Sequence, residues 1–316
     1  MIGVLGAGAF GTALAITLAQ TGRPVRLWGR DKDMMERIAA FQTSPRLPGV
    51  TLPDSIAPTG DAAMLADCEA LILAVPMQQL AAALADLSLS PRHAVAACKG
   101  VDLTTLDGPT AIIERALPMA QAAILSGPSF AADIARGLPT ALSLGCADDA
   151  VGVTLQDQLS TATLRIYRTT DVIGVELGGA LKNVIAIACG AAIGAGLGDS
   201  ARAALMTRGM AEMLRLATAM GARPETLMGL SGLGDLALTC ASPQSRNFAL
   251  GHAIGAGTDA PTALSEGTAT AQAALALADD RGVDLPITRV TAALVKGDLT
   301  VKDAMRDLLD RDLTKE

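Results

Sequence analysis

Aromatic residues are scarce in this sequence, and positive charge is not in excess. Phe, Trp and Tyr make up 2% of the 316 residues, and 25 Lys plus Arg stand against 32 Asp plus Glu, a formal net charge of -7. Non-specific binding to nucleic acid or anionic membranes requires a basic excess, and a base-stacking platform requires aromatic rings. The composition therefore argues against nucleic acid as a partner.

Cysteine patterns typical of metal or redox sites are missing as well. The five cysteines are widely separated and form no CxxC pair, so we expect no bound metal and no redox dithiol. Two long uncharged runs, 1–22 and 183–198, deserve a membrane test. Glycines interrupt the first, which also lacks a basic start, and the second is too short for a comfortable span. We expect a cytoplasmic protein without membrane insertion.

The chain is long enough for two hydrophobic cores, and its organisation changes once. Up to about residue 170, short apolar runs alternate with helical segments, which predicts βαβ units and a mostly parallel sheet. From residue 171 onward, segments rich in Ala, Leu and Met have helical periodicity and include no convincing strand. We predict an α/β domain over 1–170 followed by an all-helical domain over 171–316.

A glycine pattern follows the first predicted strand, Ile2–Leu5, and opens a predicted helix. It places Gly6, Gly8 and Gly11 in the spacing GxGxxG. In the Rossmann-type dinucleotide site the first glycine makes the turn, the second lets the backbone approach the pyrophosphate, and the third permits close helix packing. The strand before it and the helix after it favour this interpretation over a glycine turn without a ligand.

The residues after the second predicted strand, Val25–Trp28, bear on the cofactor preference. An arginine at this position can pair with the 2'-phosphate of NADP, whereas a carboxylate selects the free ribose hydroxyl of NAD. Arg30 comes first and favours NADP(H), with NAD(H) also possible. Asp31 follows at once, and it can either share the ribose or cap the next helix.

Two further segments follow predicted strands and so belong at the carboxyl edge of the sheet, where ligands of parallel sheets bind. Lys99 is one of only six lysines in the chain, although a surface lysine is an equally good interpretation of its position. Ser126–Phe130 consists of small and helix-capping residues that can present backbone N–H groups to an anion.

Lys182 is the most unusual residue of the second half. It lies in a segment, 177–188, that is apolar on nearly every helical face, where an ammonium group is costly to bury. Either its chain reaches the surface beside Asn183, or it exchanges a proton with a substrate oxygen. In the second case, desolvation and a second ammonium, such as Lys99, would lower its pKa. Neither of the two histidines has a comparable position.

Two polar clusters occur later in this otherwise apolar half. Asp235 follows a glycine-rich turn, and Ser245, Arg246 and Asn247 stand together near a predicted helix start. A guanidinium beside hydrogen-bond donors suits a phosphate group. Each cluster alone is also common in turns and helix caps that have no ligand. Together with Lys182, they describe a pocket for a small phosphorylated oxygen compound.

The chain as a whole resembles the bacterial NAD(P)-dependent glycerol-3-phosphate dehydrogenases. The resemblance rests on segments in the family's order and spacing: 6–13, 28–30, 98–100, 126–131, 178–183, 207–209, 232–236 and 245–247. It departs from the family pattern at 43–49, which lacks an asparagine and an aromatic residue, and at 263–267, which is not rich in valine.

The resemblance implies a 6-phosphogluconate-dehydrogenase-like arrangement and an oxidoreductase that interconverts dihydroxyacetone phosphate and sn-glycerol 3-phosphate for phospholipid synthesis. It implies that Lys182 is the proton donor and acceptor, aided by Asp235, Lys99 and Asn183. The implied substrate residues are Lys99, Gly127, Ser129, Lys182, Asp235, Ser245, Arg246 and Asn247. The implied cofactor residues are Gly6, Gly8, Ala9, Phe10, Gly11, Arg30, Lys99, Ala131, Arg246, Leu264 and Glu266. The helical domain is expected to close over the nicotinamide, and the expected assembly is a homodimer.

Two alternatives stay open at this point. A β-hydroxyacid dehydrogenase or ketopantoate-type reductase also pairs a dinucleotide domain with a helical domain and a lysine, but acts on a carboxylate. A non-catalytic dinucleotide sensor needs neither the lysine nor the Ser-Arg-Asn cluster.

Overall fold

The computed structural model describes residues 1–85, 87, 89–259 and 265–309. Contacts divide the chain into two compact units, the first made of Met1–Lys99 and Asp107–Glu176, the second of Gly100–Leu106 and Leu177–Glu316. The division therefore falls within a helix, six residues after the predicted boundary at 170/171, and the short segment Gly100–Leu106 joins the second unit.

The first unit is an open sheet with helices, as predicted from the alternating pattern. Its strands are β1 Ile2–Leu5, β2 Val25–Trp28, β3 Thr43–Ser44, β4 Leu47–Thr51, β5 Ile56–Thr59, β6 Ala70–Leu73, β7 His93–Ala96, β8 Gln121–Ser126, β9 Thr140–Gly145 and β10 Leu164–Thr169. Its helices are α1 Ala9–Ala19, α2 Lys32–Phe41, α3 Leu80–Ala85, α4 Pro109–Ala116, α5 Ala131–Ala135 and α6 Asp149–Leu159.

Eight of these strands form one sheet in the order β10-β9-β8-β7-β6-β1-β2-β5. All neighbours pair in parallel except β8 and β9. The central strands are apolar on both faces, and Val4, Ile72 and Val95 are completely buried, which is the pattern of a parallel sheet covered by helices. The carboxyl ends of β1, β2, β6, β7 and β8 consequently lie along the same edge.

The sequence pattern missed β3, β4 and β5. Each is short, and β4 contains Pro48 and Gly49 while β5 contains Pro58. Proline removes a ladder donor and glycine weakens a strand, so such segments read as loops until pairing partners are known. The hairpin of β3 and β4 lies outside the main sheet, whereas β5 is an edge strand of the main sheet.

The second unit consists of helices, and within the described ranges no strand follows β10. Its elements are α7 Val172–Gly194, whose first turn belongs to the first unit, α8 Gly198–Ala219, α9 Pro224–Leu227, α10 Asp235–Cys240, α11 Arg246–Ala256, α12 Glu266–Arg281, α13 Pro286–Lys296 and α14 Val301–Leu309. A π-helical turn, Leu230–Gly234, leads directly into α10.

Glycines let α7 and α11 approach closely. A Cβ atom added at Gly190 would lie 2.1 Å from the Phe248 carbonyl oxygen, and one at Gly251 would lie 1.9 Å from that of Ile187. Only residues without side chains fit such a crossing. Helix α7 is also, among the described residues, the one helix long and apolar enough to cross a membrane, but 83% of its apolar 18-residue stretch is buried inside the protein.

Two helices that begin with proline are capped by glutamates from distant positions, half-buried Glu176 and buried Glu212. Glu176 accepts hydrogen bonds from the backbone N and Oγ1 of Thr110 in α4, both at 2.8 Å. Glu212 accepts from the backbone N of Ile287 at 2.5 Å and of Thr288 at 3.1 Å in α13. Burial raises the pKa of both carboxyls. Each carboxylate satisfies N–H groups that a helix start leaves without an intrahelical partner.

Candidate active site

The glycine turn between β1 and α1 requires glycine at two of its three positions. Gly6 has φ +121°, and a Cβ there would lie 2.7 Å from the carbonyl oxygen of Ala74 at the end of β6. A Cβ at Gly11 would lie 2.0 Å from the carbonyl oxygen of Gly6. By contrast, a Cβ at Gly8 would meet no atom within 4 Å. The space beside Gly8 is open for a ligand.

The same turn presents donors suited to a phosphate group. Gly8 is the N-cap of α1 and supplies no side chain to its first N–H groups. The hydroxyl Oγ1 of Thr12, completely buried in this helix, has no hydrogen-bond partner among the described residues. Uncapped N–H groups at a helix start bind anions. The residues present therefore fit the pyrophosphate of a dinucleotide, and Ala9 and Phe10 are half-buried beside them.

Asp31 is occupied by a structural contact, whereas Arg30 is exposed. The Asp31 carboxylate accepts a hydrogen bond from the backbone N of Met34 at 3.0 Å and thereby caps α2. This is the capping alternative left open by the sequence. Arg30 follows the carboxyl end of β2, the strand that pairs with β1, which leads into the glycine turn.

Lys99 and the segment after β8 meet at the edge of the sheet. The Lys99 ammonium donates to the carbonyl oxygen of Gly127 at 3.2 Å, and the Ser129 hydroxyl donates to the same oxygen at 3.0 Å. Gly127 has φ +149°, which favours glycine. Ala131 follows as the first residue of α5, a helix that packs against α1. The structure thus brings these four predicted residues to the edge that holds the glycine turn.

Lys182 is buried in the second unit beside a carboxylate and a hydroxyl. Its exposed fraction is 7%, and its Nζ lies 3.0 Å from Oδ1 of Asp235 and 2.7 Å from Oγ1 of Thr239. The ammonium can only donate, so Thr239 accepts from Lys182 and donates to Asp235, 3.2 Å away. Lys182 therefore does not reach the surface, and the Asp235 carboxylate stabilises its charged form.

The π-helical turn before α10 brings Asp235 to Lys182. Asp235 is the first residue of α10 and is 1% exposed. A Cβ at Gly178, four residues before Lys182, would lie 2.8 Å from the carbonyl oxygen of Ser231 in this turn. Close contact between α7 and the turn thus requires glycine at 178. π-helical turns occur frequently at functional sites.

Asn183 belongs to a second polar network on a different side of α7. Asn247, in the first turn of α11, donates from Nδ2 to Oδ1 of Asn183 at 2.8 Å. The Oδ1 atom of Asn247 accepts from the Ser265 hydroxyl at 2.5 Å and from the backbone N of Gly267 at 3.0 Å. Asn183 and Asn247 are both buried. One asparagine thereby connects α7 with the start of α12.

The remaining predicted residues of the second unit lie around this network. The Ser245 hydroxyl caps α11 by accepting from the backbone N of Phe248 at 3.2 Å. Arg246 is exposed as the first residue of that helix, and half-buried Glu266 is the first residue of α12. Leu264 lies outside the described residues.

Sequence reasoning missed Thr239 and Ser265. Thr239 is four residues after Asp235 in one helix, a spacing that places two side chains on the same face, so this signal was present. Ser265 gave only the signal of a helix cap, but its hydroxyl bonds to Asn247 instead of capping its own helix. No group of His, Cys, Asp or Glu suited to a metal ion occurs in the described part of the chain.

A glycine turn that fits a dinucleotide on a parallel sheet, together with a buried lysine in a helical unit, is typical of a nicotinamide-dependent dehydrogenase with two units. Comparison with models of known protein families identifies the dehydrogenase family. The model for the NAD-dependent glycerol-3-phosphate dehydrogenase N-terminus matches residues 1–152, and that for the C-terminus matches 171–306. The chain belongs to the family of NAD-dependent glycerol-3-phosphate dehydrogenases.

Relatives cover the chain from end to end. A protein of Cereibacter sphaeroides named glycerol-3-phosphate dehydrogenase [NAD(P)+] is 58% identical over 319 residues, covering 100% of both chains. One of the same name from Paracoccus denitrificans is 56% identical and covers 100% of this chain and 99% of its own. The crystal structure of glycerol-3-phosphate dehydrogenase from Coxiella burnetii superposes with a TM-score of 0.92 at 35% identity, covering 98% of each chain.

A ketopantoate reductase structure from Ralstonia eutropha shares the fold alone. It superposes with a TM-score of 0.63 at 16% identity. This similarity shows why the fold by itself left the hydroxyacid enzymes as an alternative, whereas the family models match the chain over both of its parts.

Proposed function

We propose that the protein interconverts dihydroxyacetone phosphate and sn-glycerol 3-phosphate, with Lys182 as the proton donor and acceptor. The observation that carries this proposal is the buried cluster of Lys182, Asp235 and Thr239. Burying an ion pair costs several kcal/mol per ion in desolvation, so such a pair is a weak source of stability. Buried ionisable groups with a specific charge partner recur instead at sites of chemistry. Family membership names the substrate class.

The protein's part of the reaction is proton transfer at Nζ of Lys182. In reduction, the ammonium gives a proton to the oxygen on carbon 2 as that oxygen becomes a hydroxyl. In oxidation, the neutral amine takes the proton back from the hydroxyl. A bound nicotinamide cofactor supplies or accepts the hydride at carbon 2. Asp235 stabilises the ammonium, and Thr239 holds both groups in one hydrogen-bonded ring.

The predicted substrate residues have separate roles in this proposal. Asn183 polarises the carbonyl oxygen, and Arg246, with the first N–H groups of α11, holds the phosphate. Lys99 stays a predicted substrate residue of the first unit. The remaining predicted substrate residues are Gly127, Ser129 and Ser245, and Asn247, predicted with them, hydrogen-bonds to Asn183. Supply of glycerol 3-phosphate for phospholipid synthesis, a homodimer and a cytoplasmic location stay predictions of the sequence.

We also propose a preference for NADP(H) over NAD(H), with Gly6, Gly8, Ala9, Phe10, Gly11, Ala131 and Glu266 as the other cofactor residues. Arg30 is exposed at the end of β2, while the neighbouring Asp31 is committed to capping α2. A capping carboxylate is less available to a ribose hydroxyl. The guanidinium can pair with a 2'-phosphate through parallel hydrogen bonds.

The test follows the absorbance of the reduced nicotinamide with purified protein and dihydroxyacetone phosphate, using NADPH and NADH in parallel. Ketopantoate and a semialdehyde acid serve as control substrates. We expect consumption with dihydroxyacetone phosphate alone and a lower KM for NADPH. Arg30→Ala should raise the KM for NADPH by about tenfold or more, the loss of a charge-assisted pair, and leave that for NADH within twofold.

Each other outcome has a definite meaning. Turnover of a control acid alone would move the protein to the hydroxyacid enzymes, and tight NADPH binding without any turnover would favour a sensor. An equal loss for both cofactors in Arg30→Ala would remove the 2'-phosphate role of Arg30. Arg37→Ala, an exposed arginine within α2, is the matched control and should change neither KM.

A further inference from the structure

The direction of the hydrogen bonds around Asn247 is fixed by a group that can only donate. The backbone N–H of Gly267 points to one of the two ends of the Asn247 amide, 3.0 Å away. Because this N–H can only donate, the atom at that end is the oxygen Oδ1. The other end of the Asn247 amide is therefore the NH2 group, and it donates. Its acceptor, 2.8 Å away, must be Oδ1 of Asn183.

The same logic continues to the far end of Asn183. Since Oδ1 of Asn183 accepts from Asn247, the Nδ2 group of Asn183 is at the opposite end of its amide. No hydrogen bond from this Nδ2 group occurs among the described residues. The N–H group at the start of α12 thus fixes the orientation of the Asn247 amide. Asn247 in turn fixes the orientation of Asn183, the residue next to Lys182.

Crowding at Gly267 supports a built arrangement. A Cβ at this position would lie 2.8 Å from Oδ1 of Asn247 and 2.8 Å from the carbonyl oxygen of Asn183. The absence of a side chain at Gly267 therefore lets the start of α12 come close enough for the Gly267 N–H group to donate to Asn247. The Ser265 hydroxyl adds a second donor to the same oxygen at 2.5 Å, while its own helix is left without a serine cap.

We infer that Asn247 is a positioning residue, which is held by Ser265 and Gly267 and orients Asn183 so that its NH2 group faces an acceptor oxygen of the substrate. This inference rests on the proposed function. It assigns to Asn183 a carbonyl or phosphate oxygen, since both accept, and to Ser265 a role in orientation. A buried asparagine with the opposite orientation would present an oxygen to an oxygen, which is repulsive.

The first test replaces Asn247 by aspartate, which keeps the shape. The carboxylate still accepts from Gly267 and Ser265 but cannot donate to Asn183, whose amide must then turn around. We expect kcat/KM for dihydroxyacetone phosphate to fall about 10- to 100-fold, the value of one hydrogen bond to a charged or polarised group. NADPH binding, followed by fluorescence of the single tryptophan at the end of β2, should stay within twofold.

A double-mutant cycle separates positioning from direct contact. Asn183→Ala removes the residue through which Asn247 acts, so adding Asn247→Asp to it should lower kcat/KM by no more than twofold. If the two losses multiply, Asn247 acts on the substrate by itself and the inference is wrong. Ser265→Ala should cost about threefold or less, because the Gly267 N–H still fixes Asn247.

A charge control and a substrate-free measurement complete the design. Gln244→Glu adds the same negative charge at an exposed site three residues before Asn247 and should leave kcat/KM within twofold. The same cycle measured by urea unfolding should show non-additive losses of stability. Absent turnover in the wild type would contradict the proposed function alone, whereas additive unfolding free energies would contradict the contact from Asn247 to Asn183.

Discussion

The two units build their sites from different materials. In the first unit the candidate cofactor turn is made of backbone, with glycines where a Cβ would lie 2.0 to 2.7 Å from a carbonyl oxygen and with N–H groups that no side chain caps. In the second unit the site is made of buried side chains, with Lys182 held by Asp235 and Thr239. A backbone site fails when space is filled, and a side-chain site fails when charge or donor polarity changes. Substitutions should therefore have distinct signatures in the two units.

The largest effect should come from Lys182. Lys182→Ala removes the proton donor and should lower kcat by about 10³-fold, within the range of general acid–base catalysis, while NADPH binding stays within a few-fold. Steady-state kinetics and tryptophan fluorescence give the two readouts. Substantial remaining turnover would take Lys182 out of the acid–base role.

Two further variants guard this test against unfolding. Removing one member of a buried ion pair costs about 3–5 kcal/mol. Lys182→Arg keeps a positive charge beside Asp235, but a guanidinium does not release its proton at working pH, so turnover should still be lost. Lys302→Ala, at an exposed lysine of α14, should leave kcat unchanged.

The next effect sharpens the contrast within the glycine turn. Gly11→Ala places a Cβ 2.0 Å from the Gly6 oxygen, so the turn must open and both NADPH affinity and the free energy of unfolding should fall. Gly8→Ala meets no protein atom within 4 Å, so its stability should be unchanged and only NADPH binding should weaken, by about tenfold. Thermal unfolding with titration of NADPH separates the two. Full NADPH affinity in Gly8→Ala would place the ligand elsewhere.

The smallest effect concerns a feature that the two units share, since each uses a glutamate side chain to cap a helix. Burial raises the pKa of Glu212, so the folded state retains a proton that the unfolded state releases above about pH 4.3. Between that pH and the raised pKa, this group makes stability fall as pH rises. Glu212→Gln should flatten the slope by at most about 1.4 kcal/mol per pH unit, measured by urea unfolding.

Glu176 should behave in the same way in the first unit, since burial raises its pKa as well. Glu225→Gln, at an exposed glutamate of α9, should leave the slope as it is. An unchanged slope in both Glu212→Gln and Glu176→Gln would show that these caps titrate alike in the folded and unfolded chains.

Periodicity predicted the central strands because they are buried on both faces and hence uniformly apolar, as in β1 and β6. It also predicted helices from residue 171 onward, and the described helices there include α12 and α14. It failed for β4 and β5, which contain Pro48 and Pro58. Proline disfavours a strand, so these segments become strands only because they pair with neighbouring strands.

The sequence by itself determined the fold class, the glycine turn and the oddity of Lys182, because local spacing and the cost of burying charge are properties of residues and their order. Tertiary structure alone decided the partners: Thr239 for Lys182, Asn247 for Asn183, and Gly267 for Asn247. These contacts join segments up to 64 positions apart, and hydrogen bonds depend on distance and direction. Sequence spacing specifies neither quantity, because both are set only when helices α7, α10, α11 and α12 pack together.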